Sequence, residues 1–146
     1  MLTSQICYIP DGLPMASCEV RIYQDSKTEG PFNDWLNDLI HPNKKQNLRA
    51  AAFVQDQLRR LATYGHELRR PASAPLEYGI HELRSRVGRV NFRVLYFFAG
   101  PGVAVIALGC TKETEVDRTD ISRAVRYRRK YVRDPKAHTY SPPVSH

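Results

Sequence analysis

The sequence predicts an α+β domain, with an N-terminal strand and two helices packed on an antiparallel sheet and a basic helix at the C-terminal end. Three observations carry this expectation. Apolar residues recur at offsets of three and four in two successive stretches between residues 31 and 64. From Ile80 the period changes to two, and three strand-like runs follow, the last of them nearly all apolar. The links between those runs are short and contain glycine, whereas a parallel crossover needs about a dozen residues, so the runs are antiparallel neighbours.

Taken in order, residues 1–16 mix two prolines and a glycine and predict an irregular arm ahead of a single domain over residues 17–136. Cys18, Val20 and Ile22 alternate with Glu19 and Arg21, a strand signal, and Ser26 to Gly30 reads as a loop. Pro31 suits a first helical turn, and Phe32, Trp35, Leu36, Leu39 and Ile40 share one helical face before His41-Pro42 interrupts. A second helix is expected from about Asn43 to Tyr64, with Leu48, Ala51, Val54, Leu58 and Leu61 inward and Gly65 as its stop. Three strands follow, His81–Val87, Val90–Phe98 and Val103–Thr111, joined through Gly88 and through the turn Ala99-Gly100-Pro101-Gly102. The third is nearly all apolar and is expected to be central. Asp117 to Asp134 is the last helix, with Ile121, Val125 and Val132 inward and Arg123, Arg126, Lys130 and Arg133 as an outward basic stripe. Residues 137–146 lack apolar spacing and charge and predict a flexible tail whose removal changes little. The helices are expected on one face of the sheet, leaving the other face open beneath its arginines.

Composition narrows the class. The chain has 146 residues, 42% hydrophobic and 25% charged, which is a globular balance for one domain. No run of about 18 uncharged apolar residues occurs, which excludes a membrane-spanning helix. The first residues carry no basic and then apolar signal pattern, and the three cysteines (Cys7, Cys18, Cys110) have no metal-ligand spacing, so a reduced cytoplasm is expected. The formal charge of +7 points to a polyanionic partner. It is unevenly spread: residues 1–43 are net −4, residues 44–70 and 117–136 each net +5.

Candidate chemistry sits on the meander. Glu82, Arg84 and Arg86 share one face of their strand, and Arg93 interrupts an otherwise apolar one. A buried unpaired arginine is costly, so Arg93 either pairs with Glu82 or Glu113, reaches out at the sheet edge, or grips a phosphate with its planar fork. Lys112, directly after the third strand, could converge with Arg84 and Arg93. His81 opens the arginine-bearing strand and is an acid–base candidate at neutral pH, or an ordinary strand-end histidine. The five histidines lack metal spacing, and there is no phosphate-binding or dinucleotide glycine motif; neither a metal nor a cofactor is expected.

The segments Gly79-Ile-His-Glu-Leu-Arg84, Phe92-Arg-Val-Leu-Tyr-Phe97 and Ala107-Leu-Gly-Cys-Thr-Lys112, followed by a basic helix, resemble the RelE/ParE toxin superfamily, in particular its HigB-like, phage-derived branch. The resemblance runs over about residues 18–133 and is strongest from Gly79 to Arg133. It implies a RelE-like fold and the toxin of a type II toxin–antitoxin system, an mRNA interferase that cuts messenger RNA on the ribosome without a metal and is held inactive by an antitoxin, commonly a small helix-turn-helix protein. By position, Arg84, Arg93 and Lys112 match the family's cationic site, with His81, Arg86 and, less directly, Glu113 as proton-transfer candidates. Arg123, Arg126, Lys130 and Arg133 of the basic helix, together with the Lys44-to-Arg70 cluster, would hold RNA backbone, with affinity falling steeply in salt. Phe92, Cys110 and Glu113 depart from the usual tyrosine, phenylalanine and second lysine, and Glu113 places an acid where the family carries positive charge. Two alternatives remain: a ParE-like gyrase poison, and a non-catalytic RNA-binding module on the same fold. If Arg93 faces an open sheet surface, Arg93→Ala is expected to abolish cleavage with little change in melting.

Overall fold

The computed structural model describes residues 18–112 and 116–142. The expected arm over residues 1–16, Glu113 and residues 143–146 lie outside them. The elements run β1 (Glu19–Ile22), α1 (Pro31–Ile40), α2 (Lys45–Tyr64), β2 (Ser73–Pro75), β3 (His81–Val87), β4 (Val90–Phe98), β5 (Val103–Lys112) and α3 (Arg118–Arg133). A 3-10 turn, Gly65–Glu67, follows α2, and another, Glu77–Gly79, precedes β3.

The sheet order is β1-β5-β4-β3-β2. The β3–β4–β5 meander is antiparallel as expected, with Gly88 (φ +63°) in the first turn and Gly100 and Gly102, also at positive φ, in the second. β1 corrects the wholly antiparallel expectation. It pairs parallel with β5, Val20 opposite Ala104 and Ile22 opposite Ile106, so the sheet is mixed. The long excursion through α1 and α2 frees the chain to place β1 in either direction, and short-loop arguments constrain only the meander. β2 carries no period that sequence could show, being three residues long; it pairs antiparallel with β3 at the opposite edge.

Both faces of the sheet are covered, which corrects the expectation of one open face. On one side Leu83, Phe92, Val94, Tyr96, Ala104 and Ile106 meet Phe32 and Leu36 of α1 and Val54, Leu58 and Leu61 of α2. On the other, Leu95, Phe97, Val105 and Leu108 meet Ile121, Ala124, Tyr127 and Tyr131 of α3. The helix turns inward on its tyrosines: Val132, expected inside, is 68% exposed, while Tyr127 and Tyr131 are buried. Tyrosine supplies a large apolar ring with a polar tip, so a stripe counted on aliphatic residues alone misses it. Leu48 is likewise exposed, and Ala50 takes its place on the inner face of α2. Asp117 caps α3 by accepting a hydrogen bond from the Asp120 amide at 3.0 Å.

Ala107 is an extra residue in β5, shifting the register so that Leu95 faces Leu108 while Tyr96 faces Ile106. Beyond it Gly109 lies flat against the Trp35 indole of α1, whose Nε1 donates to the Thr111 hydroxyl at 3.1 Å. A methyl group at position 109 would overlap that ring. Gly109→Ala is therefore expected to cost about 1–3 kcal/mol in denaturation measurements, the usual range for overpacking. An unchanged midpoint would show that the indole shifts freely.

The tail also corrects the sequence. Tyr140 donates its amide to Ile22 at 2.7 Å, Gln24 donates to the His138 carbonyl at 2.9 Å, and Thr139 bridges Tyr23. The His138 ring stacks on Tyr23 at 5.5 Å between centroids. Residues 138–140 thus pair with the chain at the end of β1, engaging the Ile22 carbonyl and the Gln24 amide just beyond the strand. Among the described residues no helix is long and apolar enough to cross a membrane.

Candidate functional site

Alternation along β3 puts Glu82 and Arg84 on the α3 side of the sheet, and the β3–β4 register sets Arg84 directly opposite Arg93. Two like charges facing each other across strands repel. Glu82 resolves this by binding both: one carboxylate oxygen accepts from Arg84 Nε at 2.7 Å and the other from Arg93 Nη1 at 2.8 Å. Glu82 is 1% exposed and Arg93 6%, so these two form a buried pair of opposite charge. The Arg84 side chain remains 37% exposed and supplies the excess positive charge. Of the explanations open for Arg93, the ion pair with Glu82 is present, and Arg93 does not lie on an open surface. Its Nε is nevertheless buried with no hydrogen-bond partner.

A cavity of about 340 Å³ opens at this cluster, walled by Arg70, Leu76, Glu82, Arg84, Arg93 and Val116. Three guanidinium groups and one carboxylate leave it cationic, and an anion with planar or tetrahedral oxygens fits its donors. Cys110 pairs with Arg93 in the register, and Lys112 pairs with Asn91 one step further, so the Lys112 backbone flanks the Arg84–Arg93 row. Arg86 stands in that second row too, opposite Asn91, but its Nε is occupied by the Gly88 carbonyl of the turn at 3.1 Å.

His81 does not join the arginines. It is odd-numbered on β3 where they are even, and it faces the α2 side, stacked on Tyr96 at 5.3 Å. There it lines a second cavity of about 400 Å³ with His66, Arg69, Arg70, Ser73, Tyr96 and Phe98 among its walls. Burial, reinforced by the like charge of His66, holds the His81 imidazole below its ordinary value. The native state therefore binds fewer protons at His81 than the unfolded chain does. Its stabilising contribution is present above the unfolded value of 6.5 and is lost as pH falls below it. Denaturation of the parent and His81→Asn is expected to show this: the parent loses more stability than the variant between pH 7.5 and 5.5. Parallel losses would assign the acid sensitivity elsewhere.

The basic residues of α3 are partly engaged. Lys130 Nζ reaches Asp25 at 3.0 Å. Burial alone would raise the Asp25 carboxyl, but hydrogen bonds from Tyr23 and Lys130 hold it below its ordinary value. Arg123 and Arg126 lie over the Tyr127 ring at 5.8 and 5.5 Å. Arg126 and Arg133 are exposed. The stripe is cationic, but it is a bracing surface as well as an open one. Sequence reasoning missed His66, which sits in a segment with no period, and it counted Arg70 only as the end of the Lys44-to-Arg70 basic cluster, not as a wall shared by both cavities.

A comparison with protein families matches residues 34–130, more than half of the chain, to phage derived protein Gp49-like (DUF891). The chain belongs to this Gp49-like family. The matched segment starts in α1 and ends in α3, so the walls of both cavities fall inside it. β1 and Arg133 lie outside the Gp49-like match. No curated protein matches the chain.

Proposed function

We propose that this Gp49-like protein is the toxin of a type II toxin–antitoxin module, a metal-independent endoribonuclease that cuts messenger RNA on the ribosome in the cytoplasm and so stops translation. The observation that carries this is the Arg84–Arg93 pair, held across two strands by one shared carboxylate at the wall of a cationic cavity. The Glu-Leu-Arg and Arg-Val-Leu-Tyr segments that resemble RelE/ParE toxins place these same arginines, and the phage-derived family is consistent with such a module.

Strand cleavage needs the 2′-hydroxyl oxygen to attack the adjacent phosphorus, with its proton removed, while the 5′-oxygen leaves and takes up a proton. The phosphorane-like transition state gathers negative charge on its non-bridging oxygens. Arg84 is positioned to meet that charge, and Arg93 presents a donor already desolvated and fixed by Glu82. Donors that are pre-set in this way need no reorganisation as the charge develops. The catalysis supported here is electrostatic; His81, on the far face, is not placed to move a proton at the clamped phosphate. Arg70 and the exposed cations of α3 extend the positive field along which an RNA backbone would be drawn. The same surface suits an acidic segment of a small antitoxin, which would block it.

Expression in a bacterial host tests the proposal. Amino-acid incorporation is expected to stop within minutes, messenger RNA to shorten, and a co-expressed neighbouring small open reading frame to restore growth and co-purify. DNA breaks with an SOS response would favour the gyrase-poison alternative, and RNA binding with intact transcripts would favour the non-catalytic module.

A further inference from the structure

The second cavity is built from rings. His66 stacks on Phe98 at 3.6 Å between centroids, and Phe98 stands edge-on to both Tyr96 and His81 at 5.6 and 5.3 Å. Tyr96 is pinned by its hydroxyl against Ser73 at 2.5 Å, which fixes the floor. Arg69 and Arg70 are exposed at the same cavity, and Arg70 with Pro75 also borders the Arg84–Arg93 cavity across the short strand β2. Aromatic walls with a few polar groups, in a volume of about 400 Å³, are what small planar ligands require. Guanidinium groups beside stacked rings add the match for a phosphate attached to such a plane.

We propose that this cavity binds one nucleobase with its phosphate, the ring lying against His66, Phe98 and His81 above the buried Tyr96, and the phosphate meeting Arg69 and Arg70. Its occupant is the nucleotide next to the phosphate held at Arg84 and Arg93, the RNA strand passing around the β2 edge beside Arg70. That placement rests on the proposed function; binding of the base itself does not. A neutral His81 meets the base edge as both donor and acceptor, which gives the cavity a means of choosing between bases. Every base has a face to stack, so the rings alone supply affinity without choice.

Calorimetric titration of the full chain tests this with AMP, UMP, inorganic phosphate and a 2′-O-methyl RNA hexanucleotide that cannot be cleaved. His66 is exposed, so His66→Ala is expected to melt like the parent. It should weaken both mononucleotides and the hexanucleotide by about 5- to 100-fold, the range for one stacked base, and leave inorganic phosphate unchanged. His66→Phe should keep most of the affinity. If only the mononucleotides are weakened, the base site stands, but its place on an RNA path is overturned. If His66→Ala binds every ligand as the parent does, or if inorganic phosphate alone binds, the base site is overturned while the arginine clamp is untouched. Loss of nucleotide binding in a protein that never cuts RNA would overturn the ribonuclease and leave this site standing.

Discussion

Glu82→Ala is expected to cost the fold about 3–5 kcal/mol, the loss typical of breaking a buried ion pair from one side. The carboxylate is 1% exposed and is the partner of Arg93, which is itself 6% exposed and opposite Arg84. Removing Glu82 leaves a buried guanidinium uncompensated beside a second positive charge. Arg93→Ala is expected to be comparably damaging, since Glu82 would retain only the half-exposed Arg84. This reverses the expectation for an arginine on an open surface. Urea denaturation of Glu82→Ala, Arg93→Ala and the double variant Glu82→Leu/Arg93→Met decides the matter. The apolar pair is expected to recover most of the loss, because a buried pair replaced by packed side chains of similar size is often no less stable. Single variants that unfold at the parental midpoint would show that the pair is hydrated and weak.

The meander was legible in the sequence because its signals are local. Residues 81–93 largely alternate, β4 and β5 then run apolar, and Gly88 and Gly100 mark turns whose shortness fixes antiparallel pairing. The pairing of β1 with β5 was not legible, because direction and neighbour are set by packing after a long two-helix excursion. The covered second face was missed for a specific reason: Tyr127 and Tyr131, polar by hydroxyl, do the work of aliphatic residues in α3. Residues 138–140 were not legible because a segment without apolar spacing can still dock at the end of a strand through backbone hydrogen bonds, which leave no trace in side-chain pattern.

Within the site, parity in a strand was enough to put Glu82 and Arg84 on one face, and a lone arginine in an apolar strand correctly demanded a partner. The same parity sends His81 to the other face, so proximity in sequence to the arginines was misleading. The neighbourhood of His66 with His81 and of Arg70 with Arg84 joins residues from separate elements and could be found only in three dimensions.

Arg84→Ala is expected to lower RNA cleavage by on the order of 100-fold, the equivalent of about 2–4 kcal/mol for one pre-set donor to a developing oxyanion. Unlike Arg93, Arg84 is 37% exposed on its side chain, and its loss leaves the Glu82–Arg93 pair intact. An ion pair open to water contributes only about 0–1 kcal/mol, so its melting is expected to stay near that of the parent. The most direct measurement is single-turnover cleavage of a messenger RNA by Arg84→Ala and the parent, with thermal melting on the same preparations. A folded variant that cuts on the order of 100-fold more slowly is the result this arrangement requires. A folded variant that cuts at the parental rate would contradict the assignment of the Arg84–Arg93 pair as a phosphate clamp.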